Sequence, residues 1–253
     1  MEENKIPSME ENQTTSQVKQ AKRIQTSLLN GVERKALVWM AERMPRWVTS
    51  DMLSLVGFVG ALIIAAGYIL SDININYLWL SSFGFVVHWF GDSMDGSLAR
   101  VRHTQRPLYG YYLDHTLDVI TEFIMFMGAG LSALLRLDIA LLAFIAYLML
   151  TLNVSINSHL KGEFRLTYAK LGPTEFRLLM IIVNTLLMYI RPLREFSAVW
   201  NIGKYSLRMG GLDIIGLCIF ALLLIIYLVT VWGDLRDYAR RDPLPKYNPD
   251  QKK

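Results

Sequence analysis

The 253-residue chain has a single cysteine, Cys218, and few charges, with Asp, Glu, Lys and Arg making up 19%. One thiol cannot close an internal bridge, which excludes a small disulfide scaffold and leaves the redox compartment open. Low charge beside 53% apolar residues excludes a disordered chain, which would be charge-rich and poor in aromatics. Met1 to Gln20 lacks an apolar core and does not read as a cleaved signal peptide. The sequence has no internal repeat and no low-complexity linker, so it reads as one domain.

Long apolar runs dominate what remains, and mean hydropathy is +0.29. A helix needs about 20 mostly apolar residues to cross a bilayer. Six windows are candidates: Met52–Leu70, Tyr77–Phe90 with a polar extension over Gly91–Arg100, Leu113–Leu135, Ile139–Val154, Phe176–Ile190 and Leu212–Trp232. The expected fold is therefore an all-α integral membrane bundle of six transmembrane helices. Residues 1–17 read as a disordered polar tail, 48–238 as the six-span domain and 239–253 as a second tail. Residues 18–47 interleave Lys19, Lys22, Arg23, Arg34, Lys35, Arg43 and Arg46 with Leu28, Leu29, Val32, Leu37, Val38, Met40 and Met44. That pattern predicts an N-terminal amphipathic surface helix, with Trp39 and Trp47 as interfacial anchors. A solvated helix packed on the bundle is the plainer reading.

Basic residues orient the spans. The first 50 residues hold eight, the connection after the second window holds Arg100, Arg102 and Arg106, and the connection after the fourth holds Lys161, Arg165 and Lys170. Ser71 to Asn76 holds none, whereas Arg191, Arg194, Lys204 and Arg208 after the fifth window weaken the asymmetry. Both termini are thus expected in the cytoplasm. The formal charge of +4 follows from this bias, and no nucleic-acid partner is needed to explain it.

The segment FGDSMDGSLARVRHTQRPLYGYYLDHTLDVI carries the chemistry. Asp92 and Asp95 stand at i, i+3, and Asp114 and Asp118 at i, i+4, so on helices each pair shares a face. Four clustered carboxylates repel one another in a low dielectric. Hard divalent cations such as Mg²⁺ or Mn²⁺ are the natural remedy for an all-oxygen ligand set. Two such ions about 3.5–4 Å apart clamp the attacking and leaving oxygens of a phosphoryl transfer. Gly96 and Ala99 permit close approach of a phosphate or nucleobase, and Arg100 suits phosphate oxygens. Gly110 either admits ligand or lets two helices pack tightly. A single intramembrane Asp would read as a proton relay or structural ion pair, as in a transporter. Four at these spacings, with glycines and one arginine, are much harder to explain that way, and an ion-coupled transporter is the alternative from another class.

The stretch Asp92-x2-Asp95-Gly96-x2-Ala99-Arg100-x9-Gly110-x3-Asp114-x3-Asp118 resembles the signature of the CDP-alcohol phosphotransferases, with all eight positions present. The resemblance extends over about Pro45 to Tyr238. It implies transfer of a substituted phosphate group from a CDP-linked donor to an acceptor alcohol, with release of CMP. It implies that Asp92, Asp95, Asp114 and Asp118 hold two divalent cations and that Gly96, Ala99, Arg100 and Gly110 meet the cytidine diphosphate. Asp118 is then also the base that takes the acceptor's proton. A site on the cytoplasmic side, lipid-bilayer partners and a homodimer are further implications.

Other polar residues admit two readings. His115 is a second base or packs on a neighbouring helix. His88 reads as a packed histidine and Glu122 as a hydrogen-bonding partner in the bundle. In LGPTEFR, Pro173 suits a helix start, and Glu175 is either a first-turn charge or an acceptor contact with Arg177. Lys161, Arg165 and Lys170 complete the candidate acceptor residues. They suit a sugar or polyol phosphate accepting from a CDP-lipid such as CDP-diacylglycerol. Loop basicity arises equally if a CDP-choline or CDP-ethanolamine donor serves diacylglycerol.

Overall fold

In a computed structural model of the chain, the described residues are 22–24, 30–161, 163–165, 173–202 and 205–244. Among them the fold is helical. The chain runs through β1 (Lys22–Ile24), α1 (Asn30–Arg43), α2 (Ser50–Leu70), α3 (Leu78–Val101), α4 (Pro107–Gly130), α5 (Leu137–Lys161) and β2 (Glu163–Arg165). It continues through α6 (Pro173–Tyr189), α7 (Arg191–Glu195), β3 (Ser197–Ile202), β4 (Tyr205–Gly210) and α8 (Gly211–Arg241). Three helices are long and apolar enough to cross a membrane, namely α2, α5 and α8. The other three that match sequence windows differ in kind. Helix α6 has 17 residues, and α3 and α4 carry the acidic signature.

Several expected boundaries move. The polar stretch Gly91–Arg100 is helical throughout, so α3 is one rod of 24 residues. Helix α4 starts earlier than expected because Pro107 occupies its first turn, and α8 runs on to Arg241. The expected helix over 18–47 is shorter. Lys22–Ile24 is instead a strand, paired in parallel with β2 through backbone hydrogen bonds. Residues 1–17 lie outside the described residues. The β3–β4 hairpin was not expected. Its register pairs Ser197 with Gly210 and Ile202 with Tyr205.

Helices α2 and α3 form the centre. A side chain at Gly60 would overlap the backbone of His88, and one at Gly91 would overlap Gly57. Small residues at these positions let the two backbones touch, the packing used where lipid offers no hydrophobic drive. His88 is 5% exposed, and its ring Nδ1 lies 3.0 Å from the carbonyl oxygen of Gly57. A buried polar knot ties α6 to this pair. The Tyr68 hydroxyl donates to Asn184 Oδ1 at 3.0 Å, and Asn184 Nδ2 donates to Ser82 Oγ at 3.3 Å. At the opposite end from the acidic signature, buried Asp213 accepts from the backbone N–H groups of Arg136 and Gly210. Without these bonds its burial would be costly.

Helix α1 packs on α3. Leu37 and Ala41 are buried with Met94 and Leu98. The Arg102 guanidinium donates to the carbonyls of Met44, Pro45 and Val48, which closes the C-terminal end of α1 onto α3. Trp39 and Trp47 stay exposed.

Candidate functional site

A tight turn sets the site. His103 takes a left-handed backbone, φ 56°, just past the end of α3. The N–H of Thr104 returns to the carbonyl of Ala99. This is the left-handed helix ending that usually takes glycine and that histidine tolerates. Four residues after His103 the chain re-enters as α4, so the acidic faces of α3 and α4 meet.

Asp92, Asp114 and Asp118 each present a carboxylate oxygen, and the three oxygens lie within 4.8 Å of one another. Oxygen ligands about 2.1 Å from Mg²⁺ stand roughly 3–4 Å apart. Small side-chain rotations close the trio on one ion, so the residues fit a divalent cation. Asp95, one turn from Asp92, lines the same cleft and is tied to α2. Its Oδ2 accepts from Ser54 Oγ at 2.6 Å, and its Oδ1 accepts from the Gly96 backbone N–H at 2.5 Å. Ser54 on α2 was not expected as a site residue. The available signal was an isolated hydroxyl in an apolar window, one turn before Gly57. All four signature carboxylates, Asp92, Asp95, Asp114 and Asp118, line one cleft, together with Ser54 and His88.

Arg177 on α6 enters this acidic pocket and pairs with Asp92 at 2.5 Å. Its side chain is 13% exposed and that of Asp92 25%, whereas Asp114 at the rim is 46% exposed. Arg177, one of the candidate acceptor residues, is here a counter-charge to Asp92. Glu175 sits in the first turn of α6. Lys161 ends α5, Arg165 lies in β2, and Lys170 falls outside the described residues.

The small residues differ in setting. A side chain at Gly96 would lie 3.3 Å from Arg100 Nη1. Arg100 also donates to Ser97 Oγ at 3.0 Å, which holds its head over the Gly96–Ala99 side of the helix. A side chain at Gly110 would meet nothing within 4 Å, so close helix packing is not what selects glycine there. His115 Nδ1 lies 3.0 Å from the Tyr111 carbonyl on its own helix and 3.6 Å from Asp114. Glu122 on α4 has a buried Oε2 with no hydrogen-bond partner among the described residues.

No curated protein matches the chain. The CDP-alcohol phosphatidyltransferase family model matches residues 47–232, which takes in α2 to α6 and most of α8 together with every signature residue. The family transfers phosphate-containing groups in lipid synthesis and normally uses divalent metals, and the acidic trio is suited to holding one. By this match over most of its length, the chain belongs to the CDP-alcohol phosphatidyltransferase family.

Proposed function

We propose that the protein transfers a substituted phosphate group from CDP-diacylglycerol to an acceptor alcohol and releases CMP. The observation that carries this reading is the convergence of Asp92, Asp114 and Asp118 from two helices of the matched region. Asp92, Asp95, Asp114 and Asp118 would hold two divalent cations, Mg²⁺ or Mn²⁺, with Asp95 turning from Ser54 to join. Divalent cations held there would supply charge neutralisation at the donor's diphosphate and would ease ionisation of the acceptor hydroxyl.

The chain's own residues do the rest. Gly96, Ala99, Arg100 and Gly110 receive the cytidine diphosphate, Arg100 through its guanidinium and Gly110 through the open space at its Cα. The acceptor oxygen attacks the phosphorus in line, a new O–P bond forms, and the P–O bond to CMP breaks. Asp118 takes the acceptor's proton. Lys161, Arg165, Lys170, Glu175 and Arg177 serve the acceptor in this reading. Arg177 limits repulsion among the carboxylates until donor and cations arrive. In this reading six helices span the bilayer. Both termini and the site face the cytoplasm, and the active form is a homodimer.

One observation favours a second donor class. Arg177, a candidate cation for an acceptor phosphate, is engaged by Asp92, which suits a neutral acceptor such as diacylglycerol with CDP-choline or CDP-ethanolamine. The test is incubation of purified protein with radiolabelled CDP-diacylglycerol, CDP-choline or CDP-ethanolamine against a panel of acceptors. CMP release from CDP-diacylglycerol supports the first reading, and release from an amino-alcohol donor with diacylglycerol supports the second. Cation flux across vesicles without CMP release from any donor would replace both with a transporter.

A further inference from the structure

Glu33 lies on α1, outside the region shared with the family. Its Oε1 accepts two hydrogen bonds, from Trp89 Nε1 of α3 at 2.7 Å and from Thr174 Oγ1 of α6 at 2.8 Å. One carboxylate oxygen therefore joins three helices. Charged hydrogen bonds of this kind are the stronger ones.

The two donors are placed tellingly. Trp89 stands three residues before Asp92, and Thr174 three residues before Arg177. Helices α3 and α6 run antiparallel, since Ser82 meets Asn184 while Asp92 meets Arg177. Trp89 and Thr174 thus flank the Asp92–Arg177 pair along the helix axes, and Glu33 spans it from a third helix. Deeper in the bundle, α6 is fixed by Asn184, two turns beyond Arg177. The first turn of α6 has Thr174 as its tie to α1. Helix α1 can resist a pull because Leu37 and Ala41 are buried on α3 and Arg102 closes its end.

We propose that Glu33 is a positioning residue for the phosphotransfer site: it holds the first turn of α6 through Thr174 and so sets where Arg177 meets Asp92. The proposal rests on the phosphotransfer reading for its kinetic readout and on geometry alone for its structural one.

The test uses full-length protein in three backgrounds. Spin labels at Lys35→Cys and Leu178→Cys, with the exposed Cys218 changed to Ser, report the α1–α6 distance. Glu33→Ala and Thr174→Val each broaden that distribution, whereas Glu33→Gln, which keeps an accepting oxygen, leaves it narrow. Glu33→Ala lowers kcat/KM for CMP release about tenfold, as expected for losing charged hydrogen bonds. In an Arg177→Ala background the same change costs nothing further, because the residue it positions is gone. Glu33→Gln restores most of the rate. If Glu33→Ala does not fold, Thr174→Val carries both measurements. A distribution as narrow as the parent's, an undiminished tenfold loss in the Arg177→Ala background, or failure of Glu33→Gln to rescue would each overturn the proposal. Absence of CMP release with every donor refutes the reaction instead, and the distance measurement still decides the role of Glu33.

Discussion

Arg177 and Asp92, 85 residues apart in sequence, form an ion pair at a cleft that three further carboxylates line, those of Asp95, Asp114 and Asp118. The arginine offsets one negative charge of a converging trio and fastens α6 to α3. Removing it leaves partly buried carboxylates uncompensated, which is the expensive way to break such a pair. Arg177→Ala is expected to lower stability by about 1–3 kcal/mol. Added Mg²⁺ should narrow the loss, since a bound cation takes over the compensation. Thermal unfolding in detergent with and without Mg²⁺ checks this. A deficit that Mg²⁺ leaves unchanged would argue that the arginine acts only as packing.

The backbone contact between α2 and α3 gives a second prediction. Gly91→Ala places a Cβ against Gly57, in a region where both neighbours are backbone. The helices must part, at a cost of about 1–3 kcal/mol. Asp92 lies one residue on, so CMP release should fall with the melting temperature.

Gly110 should behave in the opposite way. Its Cα faces open space, and alanine favours a helix over glycine by about 1 kcal/mol. Gly110→Ala is expected to hold or raise the melting temperature while raising KM for the CDP-linked donor. A stability loss would return Gly110 to the helix-packing reading, and an unchanged KM would remove it from the donor site.

The parts of this site that follow local rules were legible in the sequence, and the parts that depend on neighbours were not. Carboxylates at i, i+3 and i, i+4 must share a helix face, so the acidic signature and its two helices could be read directly. The same rule says nothing of Ser54, which reaches Asp95 from another helix. Glu33 carries no local signal in the sequence, since its partners Trp89 and Thr174 are distant in sequence and lie on other helices. The β3–β4 hairpin was missed because a search for membrane-length apolar windows passes over two six-residue strands. The surface-helix pattern of α1 was read from its charges, and its packing came from Leu37 and Ala41 meeting Met94 and Leu98.

Asp118 separates cation binding from proton transfer. Asp118→Asn keeps an oxygen ligand but removes the basic carboxylate. Mn²⁺ binding, followed by electron paramagnetic resonance, should weaken yet persist, and turnover should fall about 100-fold or more. Normal turnover in this variant would move the proton to another acceptor, with His115 the next side chain to test.

Phosphotransfer depends, in this reading, on cations held by Asp92, Asp95, Asp114 and Asp118. The most direct measurement is CMP release from the donor that the substrate panel identifies, across a Mn²⁺ titration, for the parent protein and Asp114→Ala. The parent should be inactive without cation and saturate as Mn²⁺ rises, and Asp114→Ala should stay inactive at every concentration. A parent that releases CMP in a chelator, or an Asp114→Ala variant with near-parental rates, would contradict the account.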